Sequence, residues 1–266
     1  MVLNVLNSIM LITKINKTNI AFILKTNQSS KMADFRPISL CNTTYKLVSK
    51  VLANRLRPIL PSIITENQSA FIPDHLILDN VLMAFEFMHY LNHKDDEKEN
   101  YMSIKLDMSK AFDKVEWNFI KEVMEKMGLA KKWVDLIMLC ISSVSYSVII
   151  NGVACGNVIP SRGIRQGDPL SPYLFLLCVE GFSALIHKAA CDNQISGISI
   201  GRGCPKITHL FFASDSLFFC KEKEQECQKL VDILNSYEVA SGQKINTDKS
   251  SVFSAQTLLK RERKAF

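Results

Sequence analysis

Apolar residues recur at helical spacing in some stretches of the chain and alternate in others, and these two periods lay out most of its elements. Leu47, Val48, Val51, Leu52 and Leu56 mark one face of a helix, with Thr43 or Thr44 as its cap and Pro58 and Pro61 at its end. A second helix is expected from Asp79 through Val81, Leu82, Phe85, Met88 and Leu91. The run Lys94-Asp95-Asp96-Glu97-Lys98-Glu99-Asn100 holds no apolar residue and reads as a solvated loop. Tyr101–Leu106 reads as a strand leading into Asp107, and helices are expected over Glu116–Met127 and Lys131–Ile141, separated by Gly128. Val144–Asn151 alternates, Asn151-Gly152 is a hairpin turn signal, and Val153–Pro160 returns as the partner strand. Ser171–Ala190 is a long apolar helix opened by Ser171-Pro172. Two aromatic-rich runs then flank a short polar centre, from His209 through Ala213-Ser214-Asp215 to Phe219, as in a buried antiparallel hairpin. A polar-faced helix over 222–240 follows. This order predicts an α+β fold with helices on one face of an antiparallel sheet.

Composition adds limits. A chain of 266 residues with 47% hydrophobic content buries a large core in one or two lobes. No apolar run is expected to span a bilayer, and Met1–Ile12 lacks the basic leader and small-residue cleavage site of a signal peptide. Eight cysteines stand without CxxC pairs or a neighbouring His pattern, which argues against a zinc knuckle. Buried free thiols suit a reducing compartment, so cytoplasm or nucleus is expected rather than secretion.

The charge is uneven. Residues 1–60 carry nine Lys or Arg (Lys14, Lys17, Lys25, Lys31, Arg36, Lys46, Lys50, Arg55, Arg57) against Asp34 alone, which is 9 − 1 = +8 of a total of +6, leaving −2 for the rest. Such a segment is either a solvated face or a surface for a phosphate-rich partner, and charge by itself leaves both open. With the polar run as boundary, residues 1–100 are expected to form a basic lobe, 101–256 a second lobe, and 257–266 a short tail.

The candidate chemistry lies at the hairpin. A metal-dependent nucleotidyl transferase uses adjacent aspartates at such a tip, because closely spaced divalent cations need bridging oxygen ligands. Here the tip reads Ser214-Asp215, one carboxylate short. Asp107 stands at a strand end, where an Asp is commonly a helix cap; an acidic tip in a neighbouring strand favours a shared cation site for Asp107 and Asp215. Asp113 is assigned to the N-terminus of the next helix. In Gly163-Ile164-Arg165-Gln166-Gly167-Asp168-Pro169-Leu170-Ser171-Pro172, the residues make a turn and cap, or else Arg165 and Gln166 aim donors at a nucleotide that Gly167 lets approach.

These segments, in this order, resemble the reverse transcriptase domain of non-LTR (LINE-type) retrotransposons, plant elements in particular. Asp34–Asn42 with Tyr45-Lys46 and Val51–Leu56 resembles the first fingers block, and Glu66–Pro73 the second. Asp107–Asp113 resembles motif A, Gly163–Pro172 motif B, Phe212–Asp215 motif C, and Ser241–Asn246 with Lys249-Ser250 motif D. The resemblance implies a right-hand polymerase fold with fingers and palm. It implies catalytic metals, Mg²⁺, on Asp107 and Asp215 with the Met108 carbonyl nearby, and Ser214 beside them in the catalytic hairpin. Phe112 would be the aromatic gate beneath the sugar, Gln166 and Gly167 would line the nucleotide and template pocket with Arg165, and Arg36, with Lys25 or Lys31, would contact the triphosphate. Lys249 would protonate the pyrophosphate leaving group. The alternative for Phe112 is core packing, and for Lys249 a solvated loop charge.

The departures shape the functional expectation. Ser214 replaces the first motif C aspartate, Asp74-His75 stands where the family has Gly-Arg, and Leu24 where proline is usual. The endonuclease, primer grip and thumb are expected to be absent from this chain. The expectation is a fingers and palm fragment of a decayed or partial retroelement, whose ancestral reaction adds deoxynucleoside triphosphates to a DNA primer on an RNA template, here impaired. The alternatives are a non-catalytic nucleic-acid-binding relic and a translated remnant with no selected role. No membrane partner is expected.

Overall fold

A computed structural model describes residues 12–25, 31–73, 75–93, 100–201, 203–213 and 215–254. Ser214, Asp74, the polar run over 94–99 and the tail after Ser254 lie outside the described residues, and so do the expectations placed on them. After a short helical turn at Ile12–Ile15, the elements are β1 (Lys17–Leu24), β2 (Phe35–Cys41), α1 (Thr43–Leu56), α2 (Ile77–His93), β3 (Tyr101–Ser109), α3 (Trp117–Lys126) and α4 (Lys131–Ser142). The chain continues through β4 (Ser145–Ile150), β5 (Val153–Val158), α5 (Ser171–Cys191), β6 (His209–Phe212), β7 (Asp215–Lys221), α6 (Glu224–Ser241), β8 (Lys244–Ile245) and β9 (Ser251–Ser254).

These elements form two compact units, each assembled from two stretches of chain: Met1–Ile59 with Phe112–Cys178, and Leu60–Ala111 with Val179–Phe266. This partition follows backbone contacts and differs from the contiguous one at residue 100, which follows charge and a polar run.

The first unit holds a four-stranded sheet in the order β2-β1-β4-β5. β1 and β2 are antiparallel from Thr18 opposite Cys41 to Leu24 opposite Phe35, whereas β1 runs parallel to β4 from Lys17 opposite Ser145 to Ile20 opposite Val148. The sheet of the first unit is therefore mixed. Neither β1 nor β2 stood out in the sequence, because KTNIAFIL does not alternate and Pro37 argues against a strand. β2 accommodates Pro37 as an edge strand, where a missing N–H leaves no ladder bond unmade.

The β4–β5 hairpin turns at Asn151 and Gly152, both with positive φ (50° and 82°), as a two-residue Asn-Gly turn requires. α1 buries Tyr45, Val48, Ser49, Leu52, Ala53 and Leu56. Its cap is Asn42, whose Oδ1 accepts a 2.8 Å hydrogen bond from the Thr44 N–H, so the threonines expected as caps lie inside the first turn.

The second unit holds a five-stranded sheet with β6, β7, β3 and β8 in order and β9 also on β3, every pair antiparallel. Phe87 and Leu91 of α2 pack with Ile198, Leu210 and Phe219. Phe182 of α5 stacks on Tyr237 of α6 at 4.4 Å and lies within 6 Å of Phe211 and Phe218. These contacts bury hairpin aromatics on both sheet faces, Phe219 against α2 and Phe211 and Phe218 against α5.

One expectation about membranes is corrected. α5, with 21 residues, is long and apolar enough to cross a bilayer by length and composition. Much of it (61% of its most apolar window) is buried inside the protein, and its Glu180 accepts hydrogen bonds from the Thr65 N–H and hydroxyl, as in a core helix.

Candidate active site

Strand alternation fixes where the acidic pair of the second unit points. β3 and β7 are in register so that Leu106 lies opposite Ser216 and Asp107 opposite Asp215. Leu106 and Ser216 are buried, so the next pair projects from the other face, and both aspartates are half-buried there. Directly opposed residues of an antiparallel pair hold their Cβ atoms ~5 Å apart, and like charges in that relation are destabilising. Among the described residues neither carboxylate has an ion-pair partner.

Asp107 is oriented by motif D. Its Oδ2 accepts 3.1 Å from Asn246 Nδ2, its carbonyl accepts 2.8 Å from the Asn246 N–H, and its own N–H donates 3.3 Å to Ser250 Oγ. The neighbouring Met108 is opposite Ile245 of β8.

Two oxygen ligands on one sheet face fit a hard divalent cation in donor type, and a cation would offset their mutual repulsion. Among the described residues no three His, Cys, Asp or Glu side chains gather as a metal-binding group. Ser214, between Ala213 and Asp215, lies outside them. Ala213 holds a left-handed φ of 56° at the hairpin turn, a conformation that costs a non-glycine residue ~1 kcal/mol or more.

The base of the hairpin is buried and polar. His209, 1% exposed, shares its Nε2 with Ser183 Oγ (2.9 Å) and Asn67 Nδ2 (3.2 Å), and its Nδ1 with Thr208 Oγ1 (2.9 Å). Burial, with a smaller contribution from His187, pushes its pKa down to about 3, so the ring is neutral at pH 7.

The motif B turn belongs to the first unit and is stitched to the segment after Ala111. The Gly163 N–H donates to Val115 O and the Ile164 N–H to Phe112 O, both at 2.8 Å. Trp117 Nε1 donates 2.8 Å to Gly163 O. At Gly163, φ is +86° and a Cβ would sit 2.6 Å from the Asp113 carbonyl oxygen, so the site accepts only glycine. Gly167 has φ +99° and lies against the backbone of Ser39, whose N–H donates 2.8 Å to Gln166 O.

Gln166 Nε2 donates 3.2 Å to Asp113 Oδ1. The helix-terminus role expected of Asp113 is corrected: α3 begins at Trp117 with Glu116 as its cap residue, and Asp113 faces the motif B turn. Ile20, Ser39, Asp113, Tyr146 and Gln166 line a cleft of about 200 Å³ beside this turn.

Arg165 faces inward. It is 3% exposed and pairs with Asp168 at 2.9 Å. It donates to Asn16 Oδ1, the Tyr45 hydroxyl and the Cys140 carbonyl, and lies 4.0 Å from the Tyr45 ring centroid. Asp168 also accepts from Tyr45, Ser49 and the Leu170 N–H. Burial is the first cause that pushes Cys140 up to about 12 and Tyr45 well above its ordinary range, so both stay neutral inside the network. With its donors committed to protein groups, Arg165 supports the turn from below instead of reaching over it to a nucleotide.

The remaining expected residues are placed as follows. Phe112 is half-buried and stacks on Phe175, centroids 4.9 Å apart and planes 9° apart. Lys25, Lys31 and Arg36 lie exposed in and around the β1–β2 hairpin of the first unit. Lys249 is exposed in the turn Thr247–Lys249 that follows Asn246 in the second. Sequence patterns did not single out Asn246, Ser250, Asn67, Gln68 or Asn80 as site residues. Asn80 offered one signal, an amide at the head of an apolar helical run.

Known proteins give the comparison. Residues 15–262 match the profile of the reverse transcriptase (RNA-dependent DNA polymerase) family. The chain is 27% identical over 223 residues to the transposon TX1 uncharacterized 149 kDa protein of Xenopus laevis, covering 82% of this chain and 16% of that protein. It is 30% identical over 159 residues to the retrovirus-related Pol polyprotein from the type-2 retrotransposable element R2DM of Drosophila melanogaster, covering 60% of this chain and 15% of that one. The chain thus spans about a sixth of the length of these curated relatives. Its fold is similar to telomerase from Candida tropicalis in complex with a fragment of telomeric RNA, with a TM-score of 0.60 and 14% identity over 90% of this chain and 41% of that one. Relatives among transposable elements, a polymerase-like fold and a profile match over nearly every residue agree with the motif order read from the sequence: the chain belongs to the reverse transcriptase (RNA-dependent DNA polymerase) family.

Proposed function

We propose that this chain is the fingers and palm part of a non-LTR retroelement reverse transcriptase, built to add deoxynucleotides to a DNA 3′ end on an RNA template, with its activity impaired by Ser214. The observation that carries the reading is the register of Asp107 opposite Asp215 on paired strands, two oxygen donors aimed from one sheet face. They would hold the divalent cation, Mg²⁺ in this proposal. When bound, the metal supplies charge neutralisation and activation of the attacking oxygen. The chain's own contribution is positional. Asn246 orients the Asp107 carboxylate, Phe112 is set by its stack on Phe175, and Gly167 lets the motif B turn close against the backbone of Ser39. Ser214 brings a neutral hydroxyl where the family has a carboxylate, which removes one unit of negative charge from the metal's surroundings. Cytoplasm or nucleus suits both the template and eight free cysteines.

A second reading, a nucleic-acid-binding relic without catalysis, draws support from exposed Lys46, Lys50, Arg55 and Arg57 on α1 and just after it. Primer extension on an RNA template with Mg²⁺ or Mn²⁺ separates the two. Ser214→Asp is expected to extend faster than the native chain by about a hundredfold or more, each ~1.4 kcal/mol of transition-state stabilisation being tenfold. Equal measurable rates would contradict the impairment. No extension by either form, with tight RNA binding by both, would favour the relic.

A further inference from the structure

The tip that presents Asp215 is short and strained, and it lies beside an edge: β6 ends the sheet, so its outer side has no strand partner. The chain covers that edge with the segment Asn67–Ala70. Gln68 makes an isolated parallel bridge to Phe211, and the Phe211 N–H donates 2.8 Å to the Asn67 carbonyl. Asn80, 2% exposed on α2, divides its amide N–H groups between the Asn67 carbonyl (3.0 Å) and the Phe211 carbonyl (3.2 Å). Gln68, 1% exposed, accepts at Oε1 from the Ala70 N–H (3.0 Å) and from the N–H of Ala213 at the turn itself (3.4 Å). Neither side chain belongs to the core by its chemistry. Each is a buried amide whose desolvation is offset, among the described residues, through bonds to the hairpin or to the segment beside it.

We infer that Gln68 and Asn80 are positioning residues for the hairpin: they hold β6 and its turn so that Asp215 stays opposite Asp107. This deepens the reading of the acidic pair as a cation site and rests on it. The amide oxygen of Gln68 is the working atom, since its Nε2 is buried with no hydrogen-bond partner among the described residues. Replacing that nitrogen by oxygen therefore breaks no bond, whereas removing the oxygen breaks two.

The test uses the full chain with Gln68→Met, Gln68→Glu and Asn80→Leu, together with Asp215→Asn as the cation control. Two quantities are read well below the unfolding midpoint of each variant: amide hydrogen exchange across 206–213, and the Mn²⁺ dissociation constant. Gln68→Met and Asn80→Leu are expected to speed exchange of this segment and to weaken Mn²⁺ binding by about tenfold, the size of one well-made hydrogen bond. Gln68→Glu, read at a pH where its buried carboxyl is protonated, is expected to retain native exchange, because the neutral acid keeps the acceptor and buries no charge. Native exchange and native Mn²⁺ affinity in Gln68→Met and Asn80→Leu would overturn the inference. So would faster exchange spread uniformly over the second unit, which marks a general packing role. If the native chain and Asp215→Asn bind Mn²⁺ equally poorly, the cation reading falls, and the exchange contrast between Gln68→Met and Gln68→Glu alone decides the positioning role.

Discussion

Asp168 and the Asp107–Asp215 pair are aspartates of one chain treated in opposite ways. Asp168 is buried against Arg165, Tyr45, Ser49 and a backbone N–H, so its charge is matched and its lone pairs are occupied. Asp107 and Asp215 are half-buried and set against each other, with no counter-charge among the described residues. Folding stability explains the first arrangement and is reduced by the second. The contrast separates residues that shape the motif B turn from residues kept in a costly relation, and such costs concentrate where a ligand compensates them.

The largest expected effect breaks the satisfied side. Asp168→Ala leaves the Arg165 guanidinium buried without its partner and is expected to destabilise the first unit by about 3–5 kcal/mol in urea unfolding. The double variant Arg165→Met with Asp168→Leu should recover much of that loss, since apolar replacement removes both desolvation penalties. A loss under about 1 kcal/mol for Asp168→Ala would mean that water reaches the pair and that it behaves as a surface bridge.

A second effect probes the hairpin base. His209 has its folded pKa lowered from 6.5 to about 3, first by burial. The unfolded chain therefore takes up a proton that the folded chain refuses. This contribution to stability is fully present above pH 6.5 and is lost as pH falls from there toward 3, by up to ~1.4 kcal/mol per pH unit. Urea midpoints of the native chain and His209→Gln should diverge in pH sensitivity between pH 7 and 4.5, with the native chain losing more. Parallel losses would show that the imidazole is protonated in the fold.

These two sites mark how far the sequence is legible. Helical spacing located α1, α2, α3, α4 and α5 within a few residues, and Asn151-Gly152 located its hairpin, because each signal is local. The opposition of Asp107 and Asp215 was readable from motif order, since adjacent strands carry both. β1 and β2 were not readable: one does not alternate, the other contains Pro37, and the parallel β1–β4 pairing joins segments far apart in the chain. For the same reason Arg165 read as an exposed donor. Its partners Asn16, Tyr45 and Cys140 come from three remote segments, and only Asp168 three residues on hinted at a pair. The Asn42 cap escaped because three candidate capping residues stand in a row.

A smaller effect concerns the outward side of the helix that feeds the Asp168 network. α1 turns Tyr45 and Ser49 inward, while Lys46, Lys50, Arg55 and the adjoining Arg57 are exposed. Neutralising these four is expected to weaken RNA and DNA binding alike for all sequences. The slope of log affinity against log salt should fall by ~1 for each phosphate that is no longer neutralised. An unchanged slope would assign them to a solvated face.

The smallest expected change tests the central claim most directly, that Asp107 and Asp215 are held together for a cation. The measurement is the unfolding free energy of the native chain and Asp215→Asn, each with and without millimolar Mn²⁺. Without metal, Asp215→Asn should match the native chain or exceed it by about 0.2–1 kcal/mol, because a like-charge pair has been relieved. With Mn²⁺ the native chain should gain stability according to its site occupancy and Asp215→Asn should not. A mutant less stable than the native chain without metal, or a Mn²⁺ gain equal in both, would contradict the account.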